Sequence, residues 1–341
     1  MSQNFYPLKV KNLIKESINA VSIVFEIPNE LKEKFNYKAG QYLTLIAQIN
    51  GQEVRRAYSL SSCPETDSDL KVSVKKVKDG LFSSYANDLL QIGDELKVMP
   101  PQGTFINNEE SEHLVLFAAG SGITPIISIL KSALHYGKQK VSLCYGNRSE
   151  AETMFKHELD ALASAHSDKF SLEYFESDEA DILDIAKMTS IVKTTSNDAH
   201  YFICGPQGVI TAVNESLQAA NISKSHIHIE YFASPKTDKK EVISVVSGDV
   251  LDVVMVIDDE TYEVRLNENE TLLEAGERVG IDPPFSCQSG VCTTCKAKLL
   301  VGEVEMENNF GLGDDEVEEG YILTCISTPK TPGVKISWDE V

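Results

Sequence analysis

FSCQSGVCTTC, residues 285–295, is the stretch on which the reading of this chain turns. It holds Cys287, Cys292 and Cys295, and a fourth thiol, Cys325, follows in the segment LTC, residues 323–325. Four thiols admit three cages: a zinc site, a disulfide framework or an iron–sulfur cluster. The chain has seven cysteines in 341 residues. Its opening stretch, MSQNFYPLKVKNLIKES, shows no apolar run behind the charges. An odd cysteine count without a secretory pattern argues against disulfides. Zinc favours paired C-x2-C knuckles or histidine partners, whereas one C-x2-C exists here and no histidine follows His228.

The spacing Cys287-x4-Cys292-x2-Cys295 with Cys325 far downstream is the plant-type [2Fe–2S] arrangement. Ser286, Ser289, Gly290, Thr293 and Thr294 are small enough for the loop to wrap closely and turn backbone N–H groups toward sulfur. A cluster of this kind moves single electrons, so something upstream must load it.

Working outward, the net charge of −21 is uneven: residues 241–341 carry 6 Lys+Arg against 22 Asp+Glu, and the preceding 240 carry 25 against 30. Nucleic-acid binding by the acidic part is electrostatically opposed. Its charge serves either solubility or the steering of a basic protein partner. The longest apolar stretch, Leu114–Ala119, is far too short to span a bilayer, so neither nucleic acid nor membrane insertion is expected, and a cytoplasmic location is.

Up to residue 108 the chain reads as short alternating strands, Val21–Ile27, Gln41–Ile49, Tyr58–Ser62 and Leu70–Val77, with an Asn50-Gly51 hairpin turn. This predicts a small antiparallel barrel. Residues 109–233 alternate strand and helix, predicting a doubly wound α/β domain with a parallel sheet. Residues 234–248 have the composition of a linker, and a third unit occupies 249–341.

Two features of the barrel read either as a cofactor site or as the ordinary cross-strand structure in which Arg–Tyr pairs are common. RAYSLSS, residues 56–62, sets a cation, an aromatic ring and hydroxyls on neighbouring strand positions. Gly80 and Ser83 precede a helical SSYANDLL, and a helix N-terminus is a ready anion site. In the α/β domain, AAGSGITP, residues 118–125, is a glycine turn from strand into helix, suited to a pyrophosphate, although Pro125 stands where the third glycine of G-x-G-x-x-G would be. Cys204 is either a functional thiol or a buried strand-end residue; Cys144 reads as the latter, and Cys63 as a bystander. His226 and His228 alternate on one strand face and read as structure. Arg148 either binds a 2′-phosphate or lies on the surface.

In order and content, AGQY (39–42), RAYSLSS, the Gly80–Ser83 segment, PPQGTF (100–105), GSGITP, YGNR (145–148) and ICGPQG (203–208) resemble the ferredoxin–NADP reductase superfamily, and residues 250–341 resemble a plant-type ferredoxin of β-grasp fold. The resemblance implies FAD, NADPH or NADH, and a [2Fe–2S] cluster. It places Arg56, Tyr58, Ser59 and Leu60 at the flavin, with Tyr58 against the isoalloxazine. Lys75, Val77, Gly80 and Ser83 would line the ribityl and phosphate groups, and Phe232, in EYF, would close the flavin's other side. Gly120, Gly122 and Thr124 would meet the nicotinamide nucleotide, with Cys204, Gly205 and Pro206 as the wall beside its reactive carbon. Cys287 and Cys292 would hold one iron, Cys295 and Cys325 the other.

Reductase first and ferredoxin last is the order of oxygenase reductase components, and the cysteine segment with GYILTC is most similar to those of phenylacetyl-CoA epoxidases. That resemblance implies an acyl-CoA-directed di-iron oxygenase as partner, docking on the acidic ferredoxin domain. The alternatives are another acceptor, such as a desaturase, another ring hydroxylase or a hybrid iron–sulfur protein, or a redox-sensing interaction protein. No Glu-x-x-His pair of a di-iron site is read on a helix of the chain itself.

Overall fold

Asn50 and Gly51 both take positive φ, 53° and 79°, the conformation a two-residue hairpin of right-handed twist requires. In this computed structural model, which describes residues 5–107, 111–176, 195, 198–232, 252–267 and 269–341, that turn joins β3 (Tyr42–Ile49) to β4 (Gln52–Ser59). With β1 (Tyr6–Ser17), β2 (Ala20–Glu26), β5 (Leu70–Lys75) and β6 (Glu95–Val98) they form a six-stranded sheet in the order β4-β3-β6-β1-β2-β5. A bridge between Leu60 and Val72 brings its two ends together. Ile23, Leu43, Leu45, Val72 and Val74 fill the interior. β1 and β6 escape a reading by pattern, because lysines and a proline interrupt their apolar residues and only every second side chain needs burial. The short helix α1 (Leu81–Asp88) begins before Ser83, not after it.

A parallel sheet follows: β7 (His113–Ala119), β8 (Lys140–Asn147), β9 (Phe170–Glu176), β10 (His200–Cys204) and β11 (Ile227–Glu230), in the order β11-β10-β7-β8-β9. Helices α2 (Ile123–Tyr136), α3 (Lys156–Ala165) and α4 (Gln207–Ala219) accompany it. The order reverses between β7 and β10, and ligands of open α/β sheets bind outside the carboxyl ends of strands at such a switch point.

Barrel and α/β sheet belong to one compact unit, Tyr6–Phe232. Across their boundary the buried Lys131 ammonium meets Asp67 at 2.6 Å while also meeting Glu158 of its own part at 2.6 Å, and Ser128 Oγ donates to the Ser62 carbonyl at 2.6 Å. Burial works against a charged Lys131, but hydrogen bonds to both carboxylates hold its pKa above the ordinary lysine value.

The second unit contains β12 (Asp252–Ile257), β13 (Glu260–Arg265), β14 (Lys296–Val301), β15 (Val304–Met306), β16 (Tyr321–Leu323), β17 (Ser327–Pro329) and β18 (Lys335–Ser337), with α5 (Leu272–Arg278) and α6 (Asp314–Glu318). Its main sheet runs β13-β12-β18-β14-β16, with β12 and β18 parallel. Thr271 caps α5: its hydroxyl accepts from the Glu274 N–H at 3.3 Å, and the Glu274 carboxylate accepts from the Thr271 N–H at 2.9 Å. Cys325, expected in a strand, sits in the turn Thr324–Ile326 that follows β16. The expected linker, 234–248, lies outside the described residues.

Candidate functional site

The cysteine loop has almost no regular structure, and its shape is set by close contacts. Gly290 has φ +73°, and a Cβ there would stand 2.7 Å from the Asn308 carbonyl oxygen and 2.9 Å from Ile326 Cδ1, so only glycine fits. The Ser289 and Cys292 N–H groups both point at Cys287 Sγ, each at 3.4 Å. The sulfurs form a chain of neighbours: Cys292 beside Cys287, Cys287 beside Cys325, and Cys325 Sγ 3.3 Å from Cys295 Sγ. Among the described residues no three His, Cys, Asp or Glu side chains are arranged to hold a single metal ion. The thiols of Cys292 and Cys325, then the two backbone N–H groups, hold the Cys287 thiol well below the usual range against the effect of burial.

These residues fit a [2Fe–2S] cluster. Cys292, Cys295 and Cys325 are buried, which suits a centre shielded from water. Ser286, 4% exposed, has a hydroxyl with no partner, a donor available to a sulfide or thiolate. At the two ends of the sulfur chain stand Cys292 with Cys287 and Cys295 with Cys325.

In the first unit, the switch point brings the two glycine-rich segments into contact. A Cβ on Gly122 would stand 2.1 Å from the Cys204 carbonyl oxygen, so the turn after β7 lies directly on the end of β10. Cys204 is wholly buried, and burial first, then the Glu230 charge, pushes its thiol far above the ordinary range. The thiol is therefore neutral. The same cause holds Cys144 up at about 12. Thr124 is buried, with its hydroxyl donated to the Ser121 carbonyl at 3.0 Å. Gly205 is half-buried and Pro206, which precedes α4, is exposed.

On the barrel, Arg56 is exposed and its guanidinium rests on the Arg55 carbonyl at 2.6 Å. Tyr58 lies against Phe82 of α1, centroids 5.2 Å apart, and burial raises its pKa, so the phenol keeps its proton. Ser59 is buried. Leu60 sits in the barrel core with its N–H on the Gln41 carbonyl at 2.8 Å. Val77 is exposed; its N–H donates to Ser83 Oγ at 3.2 Å, and that hydroxyl donates to the Gly80 carbonyl at 3.3 Å. Ser83 thus shapes the loop before α1. Phe232 is exposed at the end of the described segment.

One residue of this region was missed in the sequence. Glu152 accepts from Lys75 at 3.0 Å and from Arg148 at 2.8 Å, joining an expected flavin residue to an expected nucleotide residue. Burial opposes its ionisation, but those two hydrogen bonds hold its carboxyl below the usual range. An acid four residues beyond Arg148 was the available signal. His200, His226 and His228 stack, with His200 Nδ1 2.9 Å from His228 Nε2, on the β10–β11 side of the sheet.

Comparison with known proteins follows the same division. An oxidoreductase FAD-binding domain matches residues 7–106, an oxidoreductase NAD-binding domain residues 116–215, and a 2Fe-2S iron-sulfur cluster binding domain residues 255–330. The ferredoxin reductase component of 3-ketosteroid-9-alpha-monooxygenase from Rhodococcus rhodochrous is 37% identical over 97% of this chain and 96% of its own. The chain belongs to the ferredoxin reductase components of oxygenase systems. This reductase is also 36% identical to one component of the 1,2-phenylacetyl-CoA epoxidase of Escherichia coli K12, over 98% of each chain. Phthalate dioxygenase reductase shares the fold over 98% of both chains, with a TM-score of 0.64 at 24% identity. The present chain is an oxidoreductase that carries electrons from NAD(P)H through FAD to a [2Fe–2S] cluster. Among the described residues no helix is long and apolar enough to cross a membrane.

Proposed function

We propose that this reductase feeds a di-iron oxygenase of the phenylacetyl-CoA epoxidase type, in the cytoplasm, through a ferredoxin domain that docks by its acidic surface. The flavin domain is taken as residues 1–108, the nucleotide domain as 109–233, the linker as 234–248 and the ferredoxin domain as 249–341. When bound, FAD accepts a hydride and gives its electrons up singly, and the cluster relays them.

The chain's own residues have distinct tasks. The Arg56 guanidinium and the N-terminal end of α1 attract the cofactor's phosphates. Tyr58, braced by Phe82, offers a fixed, protonated ring as a wall for the isoalloxazine. Gly120 and Gly122 let the dinucleotide approach the backbone, and Cys204 supplies an uncharged wall that keeps water from the transfer. Cys287 with Cys292 and Cys295 with Cys325 hold the two irons.

The observation that carries the reading is the contact of Gly122 with the Cys204 carbonyl at the switch point, in a chain that also carries the four-thiol cage. Docking is supported by exposed Glu305, Glu307, Asp314, Asp315 and Glu318 in the ferredoxin domain, with the Glu307 N–H bonded to the Ile326 carbonyl next to Cys325. Purified reductase with NAD(P)H should support turnover by the oxygenase components of a phenylacetyl-CoA epoxidase, with a rate that falls as salt rises. No turnover, or turnover indifferent to salt, overturns the acceptor or the docking mode respectively. A ketosteroid monooxygenase is the second reading, on the 37% identity above, and the same assay with its oxygenase separates the two.

A further inference from the structure

Beneath the glycine turn lies a polar layer that the site described above does not use. Tyr145, on β8, is fully buried. Its hydroxyl donates to the Gly120 carbonyl at 3.1 Å and accepts the Met154 N–H at 3.3 Å. A phenol has one proton and two lone pairs, so an oxygen that takes an amide N–H turns its proton toward the carbonyl. Burial keeps that proton in place by raising the Tyr145 pKa. The Gly120 carbonyl also receives the Ile123 N–H, and Gly120 has φ +54°. In a trans peptide the C=O and the following N–H point in opposite directions. Holding the Gly120 carbonyl on the Tyr145 phenol therefore turns the Ser121 N–H away from that phenol.

Two residues along the same strand face stands Asn147, 2% exposed. Its amide is a further donor beside the Tyr145 oxygen, yet neither of its polar atoms completes a bond within hydrogen-bond range. A buried, unsatisfied amide lowers stability, and an apolar side chain of the same shape in its place is often neutral or stabilising. The feature that keeps an amide there must be sought in the site above it.

We propose that Tyr145 and Asn147 are positioning residues of the pyridine-nucleotide site: Tyr145 holds the Gly120–Ser121 peptide by its carbonyl, with its N–H turned toward the dinucleotide's pyrophosphate, and Asn147 supports the Tyr145 hydroxyl from the same strand face. This rests on the reading that the glycine turn receives the dinucleotide. The test uses the intact reductase, with NAD+ and NADP+ as non-reducing probes titrated by flavin fluorescence. Tyr145→Phe should raise the Kd about three- to tenfold, the effect of one neutral hydrogen bond, with FAD and iron content unchanged and KM affected more than kcat. Asn147→Leu should raise the Kd while leaving Tm equal or higher. Stability and affinity moving in opposite directions is a signature that a merely structural role does not give. An unchanged Kd in Tyr145→Phe, or a Tm that falls together with affinity in Asn147→Leu, overturns the proposal. Gly120→Ala separates the two levels: unaltered affinity there means the site reading itself has failed, whereas lost affinity beside a normal Tyr145→Phe overturns only this inference.

Discussion

Replacing Gly122 by alanine tests the switch-point site most directly. The added Cβ would stand 2.1 Å from the Cys204 carbonyl oxygen and 2.7 Å from the Gly205 nitrogen, while ordinary contact begins at 3.4 Å. The neighbours are backbone, so no side chain can swing aside. The turn after β7 and the end of β10 must part by about an ångström. Overpacking of this kind costs about 1–3 kcal/mol, which a unit of this size tolerates. A displacement near 1 Å at reacting groups, however, can cost on the order of 100-fold in rate. The expected variant is folded, binds FAD normally, and shows flavin bleaching by NADH in anaerobic stopped flow slowed by about that factor. A bleaching rate within threefold of the parent, in protein with full FAD content, would refute the placement of hydride transfer at this crevice.

Further outcomes follow from the same geometry. Cys292→Ser should remove the cluster's visible absorption while flavin reduction by NAD(P)H stays within about twofold, because the thiol belongs to a separate compact unit; equal loss of both would show that the units are not independent. Cys204→Ala should slow hydride transfer with FAD content unchanged, and an unaltered rate in stopped flow would leave Cys204 as a core residue. Glu152→Gln should lower the KM for NADPH relative to NADH by about three- to tenfold, since Lys75 and Arg148 lose the carboxylate that engages them. The folded Glu152 carboxyl lies below its ordinary 4.5, so its ion pairs stabilise the protein above that pH and the contribution is lost as pH falls through the lower folded value. With Arg148 largely exposed, that contribution is at most about 1 kcal/mol. Acid titrations of parent and Glu152→Gln should therefore converge only once the pH has fallen past the lowered folded carboxyl range, and curves that stay apart would contradict the assignment.

Much of this was legible in the chain because it depends on local chemistry. The x4, x2 spacing of Cys287, Cys292 and Cys295 is set by how tightly a loop can wrap a small cluster, so it survives as text. The Asn50-Gly51 turn, the apolar runs of β7 and β10, and the helix after GSGITP are likewise decided by neighbours in sequence. β1 and β6 were not legible, since each buries only alternate residues against strands distant in the chain. Nor was the true position of Ser83, whose hydroxyl serves its own loop, or of Leu60, whose side chain belongs to the barrel core.

Sequence alone determined the three-domain order, the thiol cage and the glycine turn, because close-range sterics and ligand spacing write themselves into adjacent residues. Tertiary structure decided what meets what: Gly122 on the Cys204 carbonyl, Lys75 and Arg148 on one Glu152, and Tyr145 under Gly120. These contacts join residues that strand order brings together from far apart, and a chain read in one dimension carries no record of that distance.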